Sequence, residues 1–63
     1  MQGNYFFQWQ AVNAAGLIEG VYEQTIYGDT LSAAVAQFES FHGSLGPNED
    51  GVCLLITAIT WQP

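Results

Sequence analysis

The sequence predicts an α+β domain of order β-β-α-β: a three-stranded antiparallel sheet, spatial order 2-1-3, with one helix packed on one face. Three observations predict it. Only one stretch, Tyr27 to Gly43 (YGDTLSAAVAQFESFHG), has clear helical period. Its Leu31, Ala34, Val35, Phe38 and Phe41 follow the i, i+3, i+4, i+7 spacing of a single buried stripe. The remaining apolar runs read as strands, separated by clusters of turn-forming residues. A helix with one apolar stripe must bury it against another layer, and here only a sheet is available.

The first strand is expected over Asn4 to Val12, NYFFQWQAV, which is aromatic-rich and alternates. Asn13-Ala14-Ala15-Gly16 is the first turn signal, and Leu17 to Tyr27 reads as the second strand. A hairpin with Val12 facing Leu17 sorts the residues into two sets, because opposed residues share a face. Tyr5, Phe7, Trp9, Ala11, Ile18, Gly20 and Tyr22 form a floor for the helix, with Trp9 opposite Gly20. Phe6, Gln8, Gln10, Glu19, Val21 and Glu23 form the other, mostly polar face. A bulge would break this separation.

Asp29 or Thr30 can cap the helix start by accepting an orphan backbone N–H. Gly43 can end it, since a left-handed residue carries no steric cost in glycine. The run 44–51, SLGPNEDG, is a loop. Val52 to Trp61, VCLLITAITW, then reads as the third strand. Strict alternation puts Val52, Leu54, Ile56 and Ala58 toward the helix, and Cys53, Leu55, Thr57, Ile59 and Trp61 on the opposite face. With short connections this strand returns beside the first. Phe6, Leu55, Ile59 and Trp61 would then lie exposed near Glu19 and Glu23, an apolar area rimmed by acids of the kind that marks contact surfaces. The last strand would also be an uncharged sheet edge, open to pairing with a second copy.

Sixty-three residues make one domain, 1–63, whose small size leaves a thin stability margin that its 49% hydrophobic content compensates. One cysteine permits no internal disulfide, and one histidine permits no zinc cluster. The charge balance is the most informative entry: there is no Lys or Arg against six acids, Glu19, Glu23, Asp29, Glu39, Glu49 and Asp50. Ordinary usage would supply about eight basic residues in a chain this long. Direct binding of nucleic acid through phosphates is therefore excluded, as is docking on an anionic membrane. A basic partner surface fits. No positive n-region precedes an apolar core at the N-terminus, and no apolar run reaches membrane-spanning length, so a cytoplasmic protein with reduced Cys53 is expected.

Catalysis is not expected, and no cofactor or metal is implied. A Cys53–His42 pair is the sharpest catalytic idea, yet Cys53 sits in an apolar strand, where a thiol behaves as a small hydrophobe. His42 sits in the last helical turn, where an imidazole complements the helix dipole. No basic neighbour exists to lower the thiol pKa. Glu19 and Glu23 on one strand face would be about 13 Å apart at ~3.3 Å per residue, beyond glycosidase carboxylate geometry of ~5–9.5 Å. Glu49-Asp50 lacks the ligand spacing of a calcium loop. Neither a phosphate-binding glycine loop nor a nucleophile elbow occurs.

The acids read better as a pattern. Nucleic acid carries one phosphate per ~3.4 Å of rise on each strand, so Glu19 and Glu23 could stand where phosphates a few nucleotides apart would lie. Gln8 and Gln10 on the same face add donors and acceptors. Such a face suits a Lys- and Arg-lined groove. Glu49, Asp50, Glu39 and Asp29 follow as further contact residues, Asp29 last because capping accounts for it. Phe6 and Trp61 are the expected apolar anchors.

At this point the chain resembles the small phage-encoded anti-CRISPR proteins. The resemblance rests on size, strong acidity, the segment TLSAAVAQFESFHG after a Tyr-Gly-Asp turn, and the hairpin–helix–strand order ending VCLLITAITW. It implies binding to a CRISPR effector, most directly a type I Cascade, by occupying the basic surface that recognises target DNA or its PAM. The alternative expectation is a small phage structural or assembly protein that homodimerises through its last strand, depending on Leu55, Ile59 and Trp61 and nearly indifferent to salt. An enzyme built on Cys53 ranks third; alkylation of the thiol without loss of activity would remove it.

Overall fold

A computed structural model describes residues 2–43 and 45–63 of the chain. Four elements follow in order: β1 (Gly3–Val12), β2 (Ile18–Gly28), α1 (Leu31–His42) and β3 (Cys53–Gln62). The strands form one antiparallel sheet in the order β2-β1-β3. The central strand β1 is the most apolar in its alternation, and its Tyr5, Phe7, Trp9 and Ala11 are all buried.

The helix forms where capping and periodicity agree. Thr30, not Asp29, is the N-cap: its backbone is extended (φ −142°, ψ 165°) and its Oγ1 accepts from the Ala33 N–H at 3.1 Å. Asp29 instead accepts from the side-chain amide of Gln2 at 3.3 Å. At the other end the Gly43 N–H donates to the Glu39 carbonyl at 2.8 Å, closing the last turn. The side-chain amide of Gln37 donates to the Tyr27 carbonyl at 2.9 Å and holds the helix over the end of β2.

The core is centred on Phe38. Its ring stacks on Phe7 with centroids 5.1 Å apart and meets Trp9 edge-on at 4.8 Å. Ala34 and Phe38 are fully buried, and Val35 packs against the same cluster. The stripe is shorter than its period suggests. Leu31 and Phe41 are exposed (48% and 61%), because α1 bears on the sheet only through its middle turns. At the C-terminal end the exposed His42 lays its ring against the core, 4.8 Å from Trp9 and 4.9 Å from Phe38.

Two bulges revise the expected faces. On β2, Ala11 pairs with Gly20 while Val12 pairs with Ile18, leaving Glu19 as an extra residue. The hairpin register is thus not Val12 against Leu17. Trp9 stands opposite Tyr22, which stacks on it at 5.8 Å, and Ile18 leaves the helix-facing set for an exposed position.

On β3, Gln8 pairs with Ala58 and Trp9 with Ile56, so Thr57 is the extra residue; its hydroxyl donates to the Gln8 carbonyl at 3.0 Å. Every residue beyond it changes side relative to strict alternation. Ile59 and Trp61 therefore oppose Phe7 and Tyr5 on the helix side, and Ala58 joins the open face. Val52 precedes the strand. The open face loses Ile59 and Trp61, the two largest apolar side chains that strict alternation assigned to it from β3.

Candidate functional site: the hairpin end of the sheet

Two loops meet at one end of the sheet, beyond Val12, Ile18 and Cys53. The first spans 13–17 and the second 48–52, and they have the same hydrogen-bond plan. Asn13 Oδ1 accepts from the N–H groups of Ala15 and Leu17, both at 3.0 Å. The Gly16 N–H donates to the Asn13 carbonyl, and the Asn13 N–H to the Leu17 carbonyl, both at 2.9 Å. In the second loop Asn48 Oδ1 accepts from Asp50 and Val52 N–H groups, both at 2.9 Å. The Gly51 N–H donates to the Asn48 carbonyl, and the Asn48 N–H to the Val52 carbonyl, again at 2.9 Å.

In each loop the glycine has positive φ, +83° at Gly16 and +78° at Gly51, a region that side chains enter only with strain. A short asparagine side chain that satisfies two backbone donors, followed by a glycine three residues on, is the local instruction for both. The loops touch: a Cβ on Gly51 would lie 2.9 Å from the Ala14 Cβ. Of the turn-forming run 44–51, Ser44 lies outside the described residues.

This geometry gathers part of the expected acid set. Glu49 and Asp50 occupy the middle of the second loop, and Glu19 sits on the β2 bulge beside the first. Glu23 pairs with Gln8 on the open face farther along β2. Glu39 lies on the outer side of α1. Asp29 stands apart at the opposite end of the molecule, next to the helix start. All six acids are exposed. The bulge at Glu19 interrupts the alternation that aligned Glu19 with Glu23, so their regular spacing along one strand face is lost.

The expected anchors are also rearranged. Phe6 is half-buried on the open face, opposite Thr25 and Thr60, toward the Asp29 end. Trp61 opposes Tyr5 on the helix side and is 37% exposed. Neither neighbours the gathered acids. The exposed apolar residues that do are Leu17, Ile18, Val21 and Leu55, with Val21 and Leu55 both opposite Gln10 on the open face. Gly20 inside an otherwise regular strand was the available signal, since an internal strand glycine marks a bulge.

The thiol and imidazole are engaged elsewhere. Cys53 Sγ donates to the Leu45 carbonyl at 3.2 Å, and His42 Nε2 lies 2.6 Å from Gln24 Oε1. Among the described residues, no group of three or more His, Cys, Asp or Glu side chains is placed to hold a metal ion. No helix among them is long and apolar enough to cross a membrane.

Comparison of the chain with protein-family models, with curated proteins and with solved structures returns no match.

Proposed function

We propose that the protein is a non-catalytic inhibitor that presents acids to a basic, nucleic-acid-binding groove of a larger protein. The CRISPR effector of type I, Cascade, is the partner that the sequence resemblance singles out, with its target-DNA or PAM surface the part occluded. Action would be in the cytoplasm of a bacterial host cell. The observation that carries this reading is the second loop. Its twin holds the same hydrogen bonds with Ala14 and Ala15 in the places of Glu49 and Asp50. The two carboxylates are therefore not needed to form the turn, and they add like charge to a chain that already has no base. Self-repulsion costs folding free energy, so a binding role accounts for them better than a structural one.

Glu19, Glu49 and Asp50 would form the charged end, Glu23 and Gln8 the adjoining strand, and Leu17, Ile18, Val21 and Leu55 the apolar contact. Glu39 would contribute field rather than contact, and Asp29 least of all. Long-range attraction would speed association and fade with salt, over the ~8–10 Å screening length at physiological ionic strength. The test is target-DNA binding by purified type I Cascade, with and without the protein, at two salt concentrations. Competition that weakens with salt, and weakens further in Glu19→Gln/Glu23→Gln, is expected. No competition by the wild type across several Cascades would overturn the reading.

A second reading has one observation of its own. β3 is a sheet edge of ten residues without a charge, and Leu55 on it is exposed. A homodimer through this edge would serve an assembly role, although Ile59 and Trp61 now belong to the helix side. A concentration-dependent dimer in light scattering, weakened by Leu55→Lys and not by salt, would favour it.

A further inference from the structure

The helix is too short to cover its sheet. Twelve residues of α1 span about 18 Å at ~1.5 Å per residue, against about 33 Å for the ten residues of β1. Beyond His42 the helix side of the sheet is left open toward the hairpin end. There a cleft of about 370 Å³ is lined by Trp9, Ala11, Tyr22, His42 and Leu54. Three of these are π rings, with Trp9 touching both others: it lies 5.8 Å from Tyr22 at 29°, and 4.8 Å from His42 at 45°. Ala11 and Leu54, which pair across β1 and β3, form the floor.

We propose that this cleft receives an arginine side chain of the basic partner, its guanidinium laid on the exposed ring of Tyr22, which stacks over the buried Trp9. The inference rests on the reading above that the partner is basic, and it names the side chain inserted. Ring faces carry negative potential and attract cations. No lysine or arginine of the chain competes for them. Glu39, three residues before His42 along α1, adds negative field on the neighbouring side of the helix. Arginine is favoured over lysine because its planar, weakly hydrated head stacks on aromatic rings, while an ammonium holds its water. The volume is at the lower end of the ~300–1,000 Å³ range of small-ligand sites, suited to one side chain rather than a larger molecule.

The experiment is an NMR titration of the isotope-labelled protein with N-acetyl-arginine methylamide. The citrulline and norleucine counterparts serve as the uncharged and aliphatic probes. The Trp9 indole N–H reports on the cleft, and the Trp61 indole, at the far end of the sheet, is the internal control. Arginine should move Trp9 and leave Trp61 unmoved, half-saturating at about two- to fivefold lower concentration than citrulline. Tyr22→Phe should keep that preference and Tyr22→Leu should abolish it; Tyr22 is half exposed, so both variants should fold. Equal response to citrulline, preference for norleucine, equal movement of Trp61, or no response would each overturn the proposal. Salt-dependent competition with DNA in a protein that ignores arginine would overturn the cleft and keep the inhibitor reading. An arginine response without competition would do the reverse.

Discussion

The loops at 13–17 and 48–52 share a backbone and differ in charge. Each is pinned by an asparagine that satisfies two N–H groups and by a glycine at positive φ. Between those fixed points one carries Ala-Ala and the other Glu-Asp. The pair is a natural control: it separates what the turn requires from what the surface carries. Asn and Gly are requirements of the backbone. The carboxylates of Glu49 and Asp50 are free to serve a partner.

The largest expected effect distinguishes the two glycines. Gly51→Ala combines a strained φ with a Cβ 2.9 Å from the Ala14 Cβ, whereas Gly16→Ala has the strain with open space around it. Gly16→Ala should cost about 1–2 kcal/mol, and Gly51→Ala a further ~1–3 kcal/mol from the close contact. Denaturant unfolding of both variants measures the gap. Equal losses would show that the loops do not press on each other.

Next come the asparagines. Asn13→Ala and Asn48→Ala each remove the one side-chain oxygen that accepts from two backbone N–H groups, with an expected loss of about 1–3 kcal/mol apiece. Asp in either place keeps the acceptor and should retain most of the stability. Similar losses at the two sites would support the shared plan. A silent Asn48→Ala would break the equivalence.

The smallest effect on stability is expected where the loops differ. Glu49→Ala/Asp50→Ala rewrites the second loop with the residues of the first and should shift stability by no more than about 0.5 kcal/mol. Relief of like-charge repulsion makes a small gain the expected sign.

The sequence revealed both loops as turns, and Asn and Gly as their markers, because turn chemistry is local. Their equivalence was not visible, since it lies in hydrogen bonds that Asn13-Ala14-Ala15-Gly16 and Asn48-Glu49-Asp50-Gly51 make in the same way despite different side chains. The element order and the strand order followed from periodicity and short connections, which are coarse properties. The faces followed on β1, on β2 beyond its bulge and on β3 as far as Ile56. The extra residue at Glu19 moves Ile18, and the one at Thr57 moves Ala58, Ile59 and Trp61.

Ile18, Ala58, Ile59 and Trp61 therefore lie opposite to the side that strict alternation predicts; Trp61 has no place beside the acids, while Phe6 shares the open face with Glu23 as a diagonal neighbour. Glu19, Glu49 and Asp50 were singled out by charge alone, yet their gathering at one end depends on loops distant in sequence coming into contact. Phe41, which the helical period puts in the buried stripe, is exposed, while the exposed His42 lays its ring against Trp9 and Phe38 and reaches Gln24.

The most direct test of the account pairs two readouts on one protein: thermal melting and competition for target DNA on a type I Cascade, for Glu49→Ala/Asp50→Ala beside the wild type. The account predicts melting unchanged or slightly raised and competition weakened between about twofold and about thirtyfold, the range for two exposed ion pairs worth ~0.2–1 kcal/mol each. The loss should shrink as salt rises. Unchanged melting with unchanged competition would contradict it, because the two carboxylates would then serve neither the turn nor the partner.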